Sequence, residues 1–153
     1  MAAALIDITE LQKLVATQLE TVSGLTVVHL GEPEPESSDH WVRFLGLKIR
    51  KHKRVRGLNG QPDYADFEAV FLIVTSEAQA SQYAIGDAVN RVLAVFNDAT
   101  LRSSEHQMDF SEPADIEIMQ DPDPNRRIRT ATVSLSGMAQ RITGTSAGTY
   151  LNP

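Results

Sequence analysis

The stretch Tyr64–Thr75, YADFEAVFLIVT, decides how this chain reads. Its second half, Ala69-Val70-Phe71-Leu72-Ile73-Val74, is apolar on both parities and rich in β-branched and aromatic residues. A half-buried strand would alternate; an unbroken run of this length is expected of a central strand covered on both faces. Ser76 and Gln79 follow with the spacing of a helix-capping box. A long helix over Glu77–Asn97 is therefore expected, with Ala84, Ile85, Ala88, Val89, Val92, Leu93 and Phe96 as its apolar stripe. A strand feeding an amphipathic helix predicts two layers. No catalytic constellation sits on this unit.

Working outward to the amino end, Asp7 and Glu10 can form a first capping box. It would open a helix through about Val22, with Ile8, Leu11, Leu14, Val15, Leu19 and Val22 on one face. Gly24 is placed for the left-handed conformation that ends helices. Leu25–Leu30 is short and β-branched and reads as a strand; Gly31–Asp39, with two prolines and four acids, reads as a solvated loop. His40–Arg56 begins as a strand around Trp41, Val42, Phe44, Leu45, Leu47 and Ile49 and turns into a basic run. Pairing it with Tyr64–Thr75 across Gly57–Asp63 gives an antiparallel hairpin with a projecting basic tip.

Towards the carboxyl end, Asp98–Phe110 reads as polar and irregular. Asp115–Gln120 alternates around Ile116 and Ile118. Arg127–Met138 alternates again, with Ala131, Val133 and Leu135 on one parity and Thr or Ser on the other, as a strand with one wet face does. Ala139–Pro153 is rich in Gly, Ser and Thr, with few apolar anchors. The expectation is one α+β domain over residues 1–138, mainly an antiparallel sheet carrying an amino-terminal helix and a long helix. An extended, flexible tail over 139–153 completes it.

Composition narrows the functional classes. The 153 residues suit one domain with a real core, and 42% hydrophobic and 22% charged residues are ordinary for a globular protein. No apolar run reaches the ~18 residues of a membrane span, and the amino end lacks the pattern of a secretory signal. With no cysteine, disulfides and thiolate chemistry are excluded. A net charge of -6 speaks against a dedicated nucleic-acid binder.

Gly144-Thr145-Ser146-Ala147-Gly148 fits the nucleophile-elbow pattern, but no histidine follows it to complete a triad. Asp121, Asp123 and Asn125 imitate a calcium loop; Arg126 and Thr132 stand where glycine and glutamate are required. The four histidines share no ligand spacing and read as surface or edge residues. No catalytic, metal or cofactor site is expected. The basic run is different. Six of the fourteen Lys and Arg residues, Lys48, Arg50, Lys51, Lys53, Arg54 and Arg56, fall within nine positions. They can be a solvated tip that discourages edge-to-edge aggregation, or an arm that docks on a neighbouring acidic subunit or on the phosphates of a nucleic acid; the acidic balance of the chain favours the subunit over the nucleic acid. Tyr150 and Leu151 are anchors by which a neighbour could order the tail.

The order helix, short strand, acidic loop, basic hairpin, long helix, two closing strands and tail resembles the tail-terminator (tail-completion) proteins of long-tailed bacteriophages. The residues that carry the resemblance are Ile8–Val22, Phe67–Asn97 and Ile128–Arg141; Gly31–Arg56 departs from it, being longer and more charged. The resemblance implies a non-enzymatic virion protein, a ring of about six copies that caps the tail tube and joins it to the neck. Its partners would then be copies of itself, the tube protein and a neck or connector protein, with DNA only as passing cargo and no membrane. It would be assembled in the host cytoplasm and end at the tail–neck junction of the virion. A head–tail connector is the alternative within the same assembly; a small hydrolase or ligand-binding domain is the alternative from another class.

Overall fold

In a computed structural model of the chain, the structure describes residues 6–29, 31–33, 40–51, 64–76, 84–111, 114–120 and 128–142. They form two helices and a seven-stranded mixed sheet: α1 (Ile8–Leu19), β1 (Thr26–Val28), β2 (Trp41–Lys51), β3 (Tyr64–Ser76), α2 (Ala84–Phe96), β4 (Thr100–Arg102), β5 (His106–Asp109), β6 (Asp115–Gln120) and β7 (Ile128–Arg141). The sheet runs β1-β2-β3-β7-β5-β4, and β6 also pairs with β7. Only β1 and β2 are parallel; the other pairs are antiparallel.

The strand expected at the centre is there, paired with β2 on one side and along its whole length with β7 on the other. Its two faces differ. Ala65, Phe67, Ala69, Phe71, Ile73 and Thr75 are fully buried, whereas Val70, Leu72 and Val74 are only partly so. Both helices contribute to a single core cluster on the first face, and no residue of the second parity belongs to it. The expectation of a strand covered on both faces is thus corrected. The two described helices cover one face, and the apolar residues of the other are partly exposed among the described residues.

Phe71 sits at the centre, its ring 5.4 Å from Phe44 and 5.0 Å from Phe96 of α2. The α2 stripe is as the spacing predicts, with Ile85, Ala88, Val89, Val92 and Phe96 buried. Ser76 and Gln79, the proposed cap, and the first residues of the expected helix lie outside the described residues or side chains. α1 begins at Asp7, whose carboxylate accepts the N–H of Thr9. The reciprocal half of a capping box is absent, because the Asp7 N–H donates to His106 Nε2 at 3.0 Å. After Leu19 the chain tightens: Thr21 and Val22 donate to the carbonyls of Gln18 and Leu19, so the apolar pattern outlasts the α-helix by a turn. Gly24 then has φ +78°.

The region read as irregular, Asp98–Phe110, holds the β4–β5 hairpin. Its strands are only three and four residues long, and most of their side chains are polar. Leu101 of β4 is buried, and along β5 and just beyond it His106, Met108 and Phe110 are buried in alternation, but that pattern shows only if a histidine is counted among the core residues. β5 then explains why β7 does not stop at Met138: it pairs with Met138–Arg141 and carries the strand three residues past the expected domain boundary. Residues 143–153 lie outside the described residues.

β5 and β6 flank the same side of β7 and together form one interrupted lane. Asp109 pairs with Met138 and Asp115 with Ser134, so five residues, 110–114, span the three from 135 to 137. The excursion folds Phe110 into the core, 4.8 Å from Phe67 and 5.1 Å from Phe96. Gly137 makes room for it. A Cβ there would lie 1.8 Å from the Asp109 carbonyl oxygen and 3.0 Å from the Phe67 ring.

Candidate assembly surface

Antiparallel partners point the same way, so the registers sort the charged residues by face. Lys48 lies opposite Glu68, whose β7 partner is Ser136, and Arg50 opposite Asp66, whose β7 partner is Met138, on the face that neither described helix covers. Lys48 Nζ is 3.9 Å from Glu68 Oε2, and the lysine side chain is largely exposed. Such a pair in solvent contributes little. Trp41 is buried on the same face, with the Arg43 guanidinium 5.3 Å from its ring. Arg43 also donates to the Glu32 carbonyl at 2.9 Å, which holds it over the indole. Beyond Trp41, the open face offers Val70, Leu72 and Val74 flanked by Thr130, Thr132 and Ser134 of β7. That is a half-apolar surface with a hydroxyl border.

Of the residues expected to form an interface, Lys48 and Arg50 are exposed at the end of β2. The backbone of Lys51 closes the strand. Lys53, Arg54, Arg56, Tyr150 and Leu151 lie outside the described residues, as does the Gly144–Gly148 pattern. An open groove of about 600 Å³ borders this end, with Lys48, Arg50, Asp66, Glu68, Ser136 and Met138 among its lining residues. Its charges are of both signs. Among the described residues no three His, Asp or Glu side chains are grouped as a metal site would need, and no helix is long and apolar enough to cross a membrane.

Sequence reasoning missed two features. One is the exposed apolar strip of β6, where Ile116, Ile118 and Met119 are 44%, 50% and 48% exposed. The alternation around Ile116 and Ile118 was legible, but a strand's pattern alone does not reveal whether anything covers it. The other is His106, which was expected at the surface or at an edge and is fully buried. Its Nε2 accepts from Asp7, so the neutral ring carries its proton on Nδ1, which is buried with no hydrogen-bond partner among the described residues. Burial first, and then the nearby Arg141 guanidinium, lower its pKa; Asp7, Glu105 and Glu10 pull the other way. The histidine joins helix to sheet and faces no groove of the surface described above.

No known protein family matches the chain, and no curated protein does. Solved structures do. One chain of the virion of a native gene transfer agent particle superposes with a TM-score of 0.58 at 14% identity, over 89% of this chain and 99% of that one. A second solved chain follows at 14% identity and a TM-score of 0.46, over 85% of this chain and 94% of its own. The fold of this chain is thus similar, nearly end to end, to that of a chain in a gene transfer agent virion.

Proposed function

We propose that this chain is a structural protein of a tailed, phage-like particle and that it assembles with copies of itself as a ring. The ring caps the tail tube, ends its polymerisation and meets the neck. The observation that carries this reading is the similarity of fold to a gene transfer agent virion chain, which spans essentially the whole of that chain. The surface supports it. An open sheet face bearing Val70, Leu72 and Val74, and an edge strand exposing Ile116, Ile118 and Met119, are what a subunit keeps for its neighbours. A tube that grows by adding identical rings stops when a cap matches it on one side only. That task needs shape and charge, with no reacting group.

Light scattering on the purified protein, alone and mixed with the tail-tube protein of the same particle, tests the proposal. A species of about six copies is expected, either free or formed on the tube. A strict monomer under both conditions would remove the terminator reading.

A further inference from the structure

We propose that copies of this chain join edge to edge, the distal half of β2 in one copy pairing antiparallel with β6 of the next. The inference deepens the reading of self-assembly given above and rests on it. β1 covers β2 only at Trp41–Arg43, so the outer edge of β2 from Leu45 to Lys51 has no strand partner among the described residues. β6 pairs with β7 on one side and, among the described residues, with nothing on the other. An exposed strand edge carrying large apolar side chains templates further pairing unless something covers it.

The two open edges lie on opposite sides of the sheet, since β3 and β7 stand between them. A contact between them is therefore head to tail. Each copy that uses one edge leaves the other free, which is how closed rings are built. The directions agree as well. β2, β3, β7 and β6 alternate in sense across three antiparallel pairings, so a sheet continued into the next copy brings β2 against β6 antiparallel.

The side chains then match on both faces. Lys48 and Arg50 share the open face with Asp115, Glu117 and Met119, whereas Leu47 and Ile49 share the helix side with Ile116 and Ile118. Setting Lys48 opposite Glu117 puts Arg50 opposite Asp115, Ile49 opposite Ile116, Leu47 opposite Ile118 and Gly46 opposite Met119. Two charge pairs and two apolar pairs fall into place together, and a Cβ at Gly46 would meet nothing within 4 Å, which leaves room for the methionine. A slip of one residue would set bases against isoleucines. β6 carries Asp115 and Glu117 with no basic residue, and the open end of β2 carries Lys48, Arg50 and Lys51 with no acid. This complementarity identifies the occupant as a second copy of the same chain.

The chain has no cysteine, so single thiols report the register directly. Lys48→Cys and Glu117→Cys proteins, mixed under the conditions in which the wild type associates and then mildly oxidised, should give a disulfide-linked dimer. Neither alone should do so, and Lys48→Cys mixed with Asp115→Cys should link several-fold less. Independently, Lys48→Glu/Arg50→Glu and Asp115→Lys/Glu117→Lys should each weaken association by about tenfold or more, because attraction at two cross-strand positions becomes repulsion. Mixing the two variants should restore it. Rings that form at full strength in both variants and give no cross-link would overturn this contact and leave the ring reading standing. A wild type that stays monomeric with and without tube protein would overturn both.

Discussion

The imidazole of His106 and the backbone N–H of Asp7, 99 residues apart, meet at 3.0 Å, and this bond ties the start of α1 to β5. The bond needs a neutral ring, because a protonated Nε2 cannot accept. Burial and Arg141 hold the pKa below the ordinary value of 6.5. The unfolded chain therefore binds this proton at higher pH than the folded one does. The stabilisation is complete above about pH 6.5 and is lost as the pH falls below it, towards the folded pKa. Denaturant midpoints measured from pH 8 to 5.5 should be level at first and then decline. His106→Gln, which keeps an acceptor and cannot charge, should be less stable at pH 8 and lack most of that decline. Equal slopes in the two proteins would show that His106 is not the group responsible.

Phe71 is fully buried between two further phenylalanine rings. Phe71→Ala should cost ~3–5 kcal/mol, the transfer term plus the cavity left among Phe44, Phe96 and Val133. Urea denaturation measures it; a loss below about 1 kcal/mol would mean that the strand and helix layers are not packed through this residue.

Gly137→Ala tests the excursion between β5 and β6. The added methyl would press on the Asp109 carbonyl and the Phe67 ring. Overpacking of this kind costs ~1–3 kcal/mol. Relief requires moving the segment that seats Phe110. The variant should show a lowered denaturant midpoint and faster amide exchange at Phe110, whose N–H is bonded to the Ala99 carbonyl. Wild-type protection at that amide would count against the close approach.

Replacing Arg50, Lys51 and Lys53 together with Glu should abolish assembly and leave the fold intact. At the exposed Arg50 such a substitution costs within ~0.5 kcal/mol. Circular dichroism and light scattering on the same sample separate the two effects. Normal assembly by a folded triple variant would return the basic run to the role of a solvated tip.

Much of the fold follows from local pattern. The apolar run 69–74 marks the central strand, helical spacing marks α1 and α2, and alternation marks β6 and β7, because a buried face repeats with the period of its own backbone. The β4–β5 hairpin escapes such reading. Its strands are too short to show a period, and one inward residue is a histidine whose burial depends on a backbone donor 99 residues away. The candidate surface divides in the same way. Residue order alone puts Lys48, Arg50 and Lys51 together at one strand end and sets Ile116 and Ile118 on one parity. That helices cover one side of the sheet, that β6 lies at an edge, and that the basic and the acidic, apolar edges are on opposite sides emerges from the folded arrangement. Side-chain period is a local property of the backbone, whereas exposure and the identity of an edge depend on which distant strands have already taken the hydrogen bonds.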